Sequence, residues 1–140
     1  MDSKTIGMTT RGTGNKSELT VITKTKALCS YVMTVTDKSP KRFRFTLVSR
    51  MQNTALDALE NLFLANEVFA TGANKEKIEE RITYQRKALI NFKLLGYISQ
   101  LAMEQNCILQ KQYAQITKQI HDCRNLTGAW IKSDRNRFRS

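Results

Sequence analysis

The residues of this chain whose types and numbers could do chemistry are its cations. Lysine and arginine total 23 against 12 aspartates and glutamates, for a formal net charge of +11 with the single histidine neutral. Guanidinium groups bind phosphate through paired hydrogen bonds, and ammonium groups bind it as point charges. Three groups of cations stand out. Lys41, Arg42, Arg44 and Arg50 form the first; Arg81, Arg86 and Lys87 the second; Lys132, Arg135, Arg137 and Arg139 the third, with Phe138 among them. An aromatic ring between cations suits an unpaired base. From residue 109 onward, seven lysines and arginines face two aspartates. A surface of this kind attracts polyanions, nucleic acid first and anionic membrane second, and each phosphate contact makes binding salt-dependent. Nothing in the chain resembles a sequence-reading element such as a zinc finger, so backbone and shape are the expected targets. The alternative is a basic surface that serves solubility alone.

Other chemistry finds little support. His121-Asp122-Cys123 brings together suggestive residue types, but neighbours on a helix point about 100° apart and do not converge. The only histidine has Lys118, not glutamate, three residues before it, so the Glu-x-x-His pair of a di-iron bundle is missing. Gly12-Thr13-Gly14 lacks the flanking strand and helix of a phosphate loop. Cys29, Cys107 and Cys123 are far apart and form no CxxC pair, which fits buried free thiols in a reducing cytosol. No catalytic residue, metal or cofactor is expected, and an enzyme is the least favoured class.

The elements that must position the cations read as helices. One proline and six glycines favour long uninterrupted segments. Residues 1–16 are unpatterned and read as a flexible arm. A first helix starts near Ser17-Glu18, carries Val21, Thr25, Leu28, Val32 and Val35 on one face, and ends at Asp37-Lys38-Ser39. Its β-branched runs argue weakly for a strand. Ser39 as N-cap and Pro40 as first helical residue open a second helix over 40–70, about 45 Å long. Its apolar stripe is Phe43, Leu47, Met51, Ala55, Ala58, Leu62, Ala65 and Phe69, widened by Val48, Leu56, Leu59 and Phe63. Its charges run against the helix dipole, with Lys41, Arg42 and Arg44 first and Asp57, Glu60 and Glu67 later. That order suggests that an anion or a partner uses the basic end.

Thr71-Gly72-Ala73-Asn74 is the clearest loop, with Gly72 as a stop and Asn74 as the next cap. A third helix spans 75–105. Its second half, ALINFKLLGYISQLAM, is apolar on nearly every side. A helix apolar all round is buried all round, so Leu94, Tyr97, Ile98 and Leu101 are expected at an interface with another subunit. A broad internal face is the alternative. After a turn at Asn106-Cys107, a fourth helix carries Leu109, Tyr113, Ile116, Ile120, Cys123 and Thr127 and ends near Trp130. The reading is an all-α antiparallel four-helix bundle over 17–131 with a basic tail at 132–140. The start of the chain has no signal-peptide stretch and no segment suggests a membrane span, so a cytoplasmic protein without membrane contact is expected.

Three segments carry a resemblance. KTKALCSYVMTVTDKSPKRFRFTLVSRMQNTALDALENLFLANEVF, LINFKLLGYISQLAMEQNCIL and ITKQIHDCRNLTGAWIKSD resemble the small bacterial four-helix-bundle proteins. That family includes the accessory variability determinant of diversity-generating retroelements and proteins encoded in ribosomal-RNA intervening sequences. The resemblance covers roughly residues 20–134 and is most specific in the FTL…N…ALDALENLFLANE stretch. It implies a ring-shaped homopentamer with a basic surface. It also implies binding to a reverse transcriptase and its structured template RNA, in support of mutagenic cDNA synthesis, without catalysis. It supplies no functional motif that transfers position by position. The competing readings are an oligomeric protein-interaction scaffold, and an RNA-binding bundle unconnected to a reverse transcriptase.

Overall fold

A computed structural model of the chain describes residues 14–70 and 74–137. All regular structure among these residues is helical: α1 Gly14–Thr36, α2 Ser49–Glu67, α3 Lys75–Glu104 and α4 Gln110–Arg137. Each helix packs on its neighbours in chain order, and α4 closes back on α1. Cross-helix bonds fix antiparallel senses. The Cys29 thiol donates to the Ala55 carbonyl at 3.2 Å and Gln52 Nε2 to Thr36 Oγ1 at 3.0 Å, between α1 and α2. Asn61 Nδ2 donates to Asn91 Oδ1 at 2.8 Å, between α2 and α3. The four-helix bundle expected from the spacing is what forms.

Its core follows the predicted stripes closely in α1, where Val21, Thr25, Leu28, Val32 and Val35 are all buried. The α2 contribution is mostly alanine (Ala55, Ala58 and Ala65 beside Met51 and Leu62), which lets α1 and α3 approach closely. Phe92 and Leu95 of α3 and Ile116, Ile120, Cys123 and Trp130 of α4 fill the remainder. A smaller cluster of Ile78, Ile82 and Ile131 seals the end where α3 begins and α4 finishes. Cys29 and Cys123 lie buried, as expected of structural thiols. Burial, and then the nearby Cys123, push the Cys29 thiol up to about 11; burial raises that of Cys123 too. Little thiolate, the reactive form, is therefore present at neutral pH.

Three expectations need correction. The second helix is not continuous from residue 40. A 3₁₀ turn at Lys41–Phe43 and a π turn at Arg44–Val48 precede α2. The wide π turn brings residues five apart over one another, and Phe43 and Val48 both rest on the core. The α-helix proper has 19 residues and is about 28 Å long. Ser39 does not cap it; its hydroxyl donates to the Cys107 carbonyl at 2.7 Å and ties this entry to the α3–α4 turn. Secondly, Phe69 is not in the core but 80% exposed, because the chain turns extended at Val68 and Val68 fills that place. Leu56, Phe63 and Leu109 are exposed as well. Thirdly, α4 does not stop near Trp130 but runs to Arg137, so most of the supposed basic tail is helix. The expected arm falls mainly on residues 1–13, and the Gly72 stop on 71–73, outside the described residues.

Caps mark two of the boundaries. Asn74 Oδ1 accepts from the Lys77 N–H at 3.1 Å, as its cap reading requires. At the end of α3, Cys107 N–H reaches the Ala102 carbonyl at 2.8 Å and Asn106 N–H the Met103 carbonyl at 3.0 Å, a Schellman motif. Asn106 occupies its left-handed position at φ 62°. Asparagine tolerates that region and β-branched residues do not. Asn106→Val should therefore cost about 1–2 kcal/mol, and Asn106→Gly should be neutral or slightly stabilising. Urea unfolding of the two variants checks this; equal stability would mean that the turn relaxes out of the left-handed region.

Candidate nucleic-acid interface

The bundle sorts the cations to opposite ends. One end holds the α1–α2 connection and the α3–α4 turn; the other holds the start of α3 and the finish of α4. At the first end, Lys38, Lys41, Arg42, Arg44 and Arg50 are all exposed. The sequence has no carboxylate between Asp37 and Asp57; Asp37 beside Lys38 and Glu104 at the end of α3 are the exposed acids of this end, and the cations outnumber them. Lys41, Arg42 and Arg44 sit in the turns before α2, not in its first α-helical turn. Their conflict with the helix dipole is thus weaker than the sequence suggested, since the dipole effect falls off within a turn. The Arg42 guanidinium lies 4.5 Å from the centre of the Phe43 ring, which steadies it. Phe45 stands among these cations with 85% of its surface exposed. Sequence reasoning left Phe45 out. The signal was there, since Phe45 falls between the stripe residues Phe43 and Leu47.

At the second end the picture divides. Arg86 and Lys87 of α3 are exposed, with Lys87 Nζ 5.5 Å from the Tyr84 ring centre. Lys132 and Arg135 of α4 are exposed too. Glu76, Glu79 and Glu80 share this end, and Lys77 pairs with Glu80 at 3.4 Å, so the local surface is of mixed charge. Arg139 lies outside the described residues. Arg81 is not a surface cation at all: it is 6% exposed and its Nε lies 3.0 Å from Asp134 Oδ2. Its guanidinium carbon stands 5.2 Å from the centre of the Trp130 ring. Asp134, 1% exposed, also accepts from Gln85 Nε2 at 2.8 Å and from Arg137 Nη2 at 3.0 Å. Arg81 and Asp134 lock α3 to α4, and neither is offered to phosphate. Both positions continue core stripes, Arg81 three residues after Ile78 and Asp134 four after Trp130, and that spacing was the missed signal.

A third feature is apolar. Ile90, Leu94, Tyr97 and Leu101 recur at +4, +3 and +4 along α3 and are all exposed. This is the outward face of the segment that looked apolar on every side. Ile98, expected with them, is half-buried against the core, and Ile90 takes its place on the stripe. No helix among the described residues is long and apolar enough to cross a membrane. No family model, curated protein or solved structure matches the chain.

Proposed function

We propose that this bundle binds nucleic acid, RNA in the first instance, and does no chemistry on it. The observation that carries the reading is the acid-free run from Lys38 to Arg50, whose five cations are all exposed around the bare ring of Phe45. Clustered arginines supply phosphate contacts and release counterions, and an exposed ring offers a face to an unpaired base. Lys132 and Arg135, with Arg86 and Lys87, extend the contact to the other end of the bundle. In its narrower form, the protein is the accessory subunit of a reverse transcriptase in a diversity-generating retroelement and holds its template RNA. The segment resemblance supports that form. The test is binding to a structured RNA at about 50 and 200 mM salt. A weak response that is flat with salt would reject the proposal. For the narrower form, pull-down of a reverse transcriptase encoded beside this gene is decisive, and its failure with purified partners would remove it.

The exposed α3 stripe favours a second role alongside the first: assembly of copies of this chain. Ile90, Leu94 and Leu101 form the apolar patch expected of a protein interface, with Tyr97 at its border with the α3–α4 groove. The expected ring supplies the occupant. Replacing Leu94 and Leu101 with glutamate should reduce the mass found by light scattering to that of one chain. The variant should still unfold cooperatively, with a melting temperature that no longer rises with protein concentration as the assembled form's does. A wild-type protein that is already monomeric at micromolar concentration would refute the assembly.

A further inference from the structure

We propose that the groove between α3 and α4 takes one unpaired nucleotide of a single strand, its base on Tyr97 and its phosphate on Lys93 and Arg124. The inference rests on the nucleic-acid reading and adds to it a base-holding site away from the cationic end. The groove has a volume of about 290 Å³ and is lined by residues of the second half of α3 and the first half of α4. That is the lower bound of small-ligand sites, near 300 Å³, and suits one nucleotide unit.

Charge complementarity names the occupant. Lys93 comes from α3 and Arg124 from α4, and no aspartate or glutamate is among the lining residues. An anion is therefore favoured, and two cations on opposite walls suit a phosphate. The remaining chemistry asks for an aromatic ring beside that anion. Tyr97 lines the groove with 72% of its surface exposed, Tyr113 lines it from α4, and Phe92 lends an apolar base. Every nucleobase has a face that stacks on such rings. Gly96 lies between Lys93 and Tyr97 on the same wall. A Cβ there would meet no atom within 4 Å, so packing inside the chain does not demand glycine in mid-helix. The space beside Gly96 is therefore open.

The experiment uses the full chain and two labelled strands of roughly ten nucleotides, oligothymidylate and an abasic strand of equal length. Affinity, salt slope and mass are measured for wild type, Tyr97→Ala, Tyr97→Phe, Gly96→Met and Lys93→Gln with Arg124→Gln. Wild type should prefer oligothymidylate. Tyr97→Ala should weaken it about 5- to 100-fold and Tyr97→Phe should not, because stacking needs the ring and not the hydroxyl. Gly96→Met should block binding by filling the space. The double charge variant should lower the salt slope by about 0.7 per charge removed. Equal binding of the abasic strand, or an unchanged Tyr97→Ala, would overturn the proposal. So would a change of mass that accompanies every loss of binding, which would assign Tyr97 to assembly. If only removal of Arg42, Arg44 and Arg50 weakens binding, the groove falls and the cationic end stands. If wild type binds no strand and no structured RNA, both fall.

Discussion

Asp134→Ala should be among the most damaging single substitutions, lowering stability by about 3–5 kcal/mol. The carboxylate is buried and faces two guanidinium groups, those of Arg81 and Arg137, as well as the Gln85 amide. Arg137 is 40% exposed and has water to turn to. Arg81 has far less. Its Nη1 stands 3.5 Å from the Val68 carbonyl, and a neutral carbonyl does not replace a charge. Removing Asp134 leaves the buried Arg81 cation without the carboxylate that faces it at 3.0 Å. A domain of this size holds about 5–15 kcal/mol in total, so the loss is a large fraction, and it corresponds to a fall in melting temperature of about 10–20 °C. Replacing the pair together is a different experiment. Arg81→Met with Asp134→Leu removes both charges and keeps apolar volume, and should restore part of the loss, because desolvation of a buried pair roughly cancels its attraction while the buried Gln85 amide still loses its acceptor, at about 1–3 kcal/mol. Thermal unfolding of the single and double variants decides the matter. If Asp134→Ala melts within 2–3 °C of wild type, about the shift for 1 kcal/mol, water reaches Arg81 and the lock is not structural.

The second large effect falls on binding. Changing Arg42, Arg44 and Arg50 to glutamine should weaken structured RNA on the order of 100-fold at moderate salt. Three phosphate contacts at about 1 kcal/mol each give that figure. The loss should shrink as salt rises, because the wild-type contacts are themselves screened away. All three side chains are exposed, so the fold should survive with an unchanged unfolding midpoint. The comparison that matters is with Arg86 and Lys87, changed together to glutamine. They are as exposed, but they share their end of the bundle with Glu76, Glu79 and Glu80. Net local charge, not the number of cations, sets the field that phosphate meets. The second variant should therefore weaken binding less than tenfold. Equal losses from both would show that charge acts without regard to place, as a general polyanion attraction.

The two ends differ in a way that composition alone could not reveal. Each contains several lysines and arginines, and a count along the chain favours the C-terminal quarter. The fold narrows that difference. It spends Arg81 and Asp134 on holding α3 to α4, draws Arg137 to the same carboxylate, and leaves Glu76, Glu79 and Glu80 exposed at the same end of the bundle. The cations before α2 share their end with two exposed acids, Asp37 and Glu104. The same logic bears on the apolar segment of α3. Nothing in a run such as LINFKLLGYISQLAM says which side chains find partners within the chain. Only the positions of α2 and α4 decide that Phe92, Leu95 and Ala102 are covered while Ile90, Leu94, Tyr97 and Leu101 are not.

What the sequence determined unaided was periodic. Val21, Thr25, Leu28, Val32 and Val35 announce a helix and its inner face, because a 3.6-residue repeat forces side chains at those intervals to one side whatever lies opposite. Asn74 announces a cap because its side chain reaches a nearby N–H without help from the rest of the molecule. The excess of positive charge is likewise a property of composition. Tertiary structure decided the departures: the 3₁₀ and π turns before α2, the turning out of Phe69, the extension of α4 to Arg137, the pairing of Arg81 with Asp134 and the open groove beside Gly96. Two of these are tied to residues far away in the chain, Ser39 before α2 to Cys107 and Arg81 to Asp134. Local propensity carries no information about a contact that exists only once four helices have met.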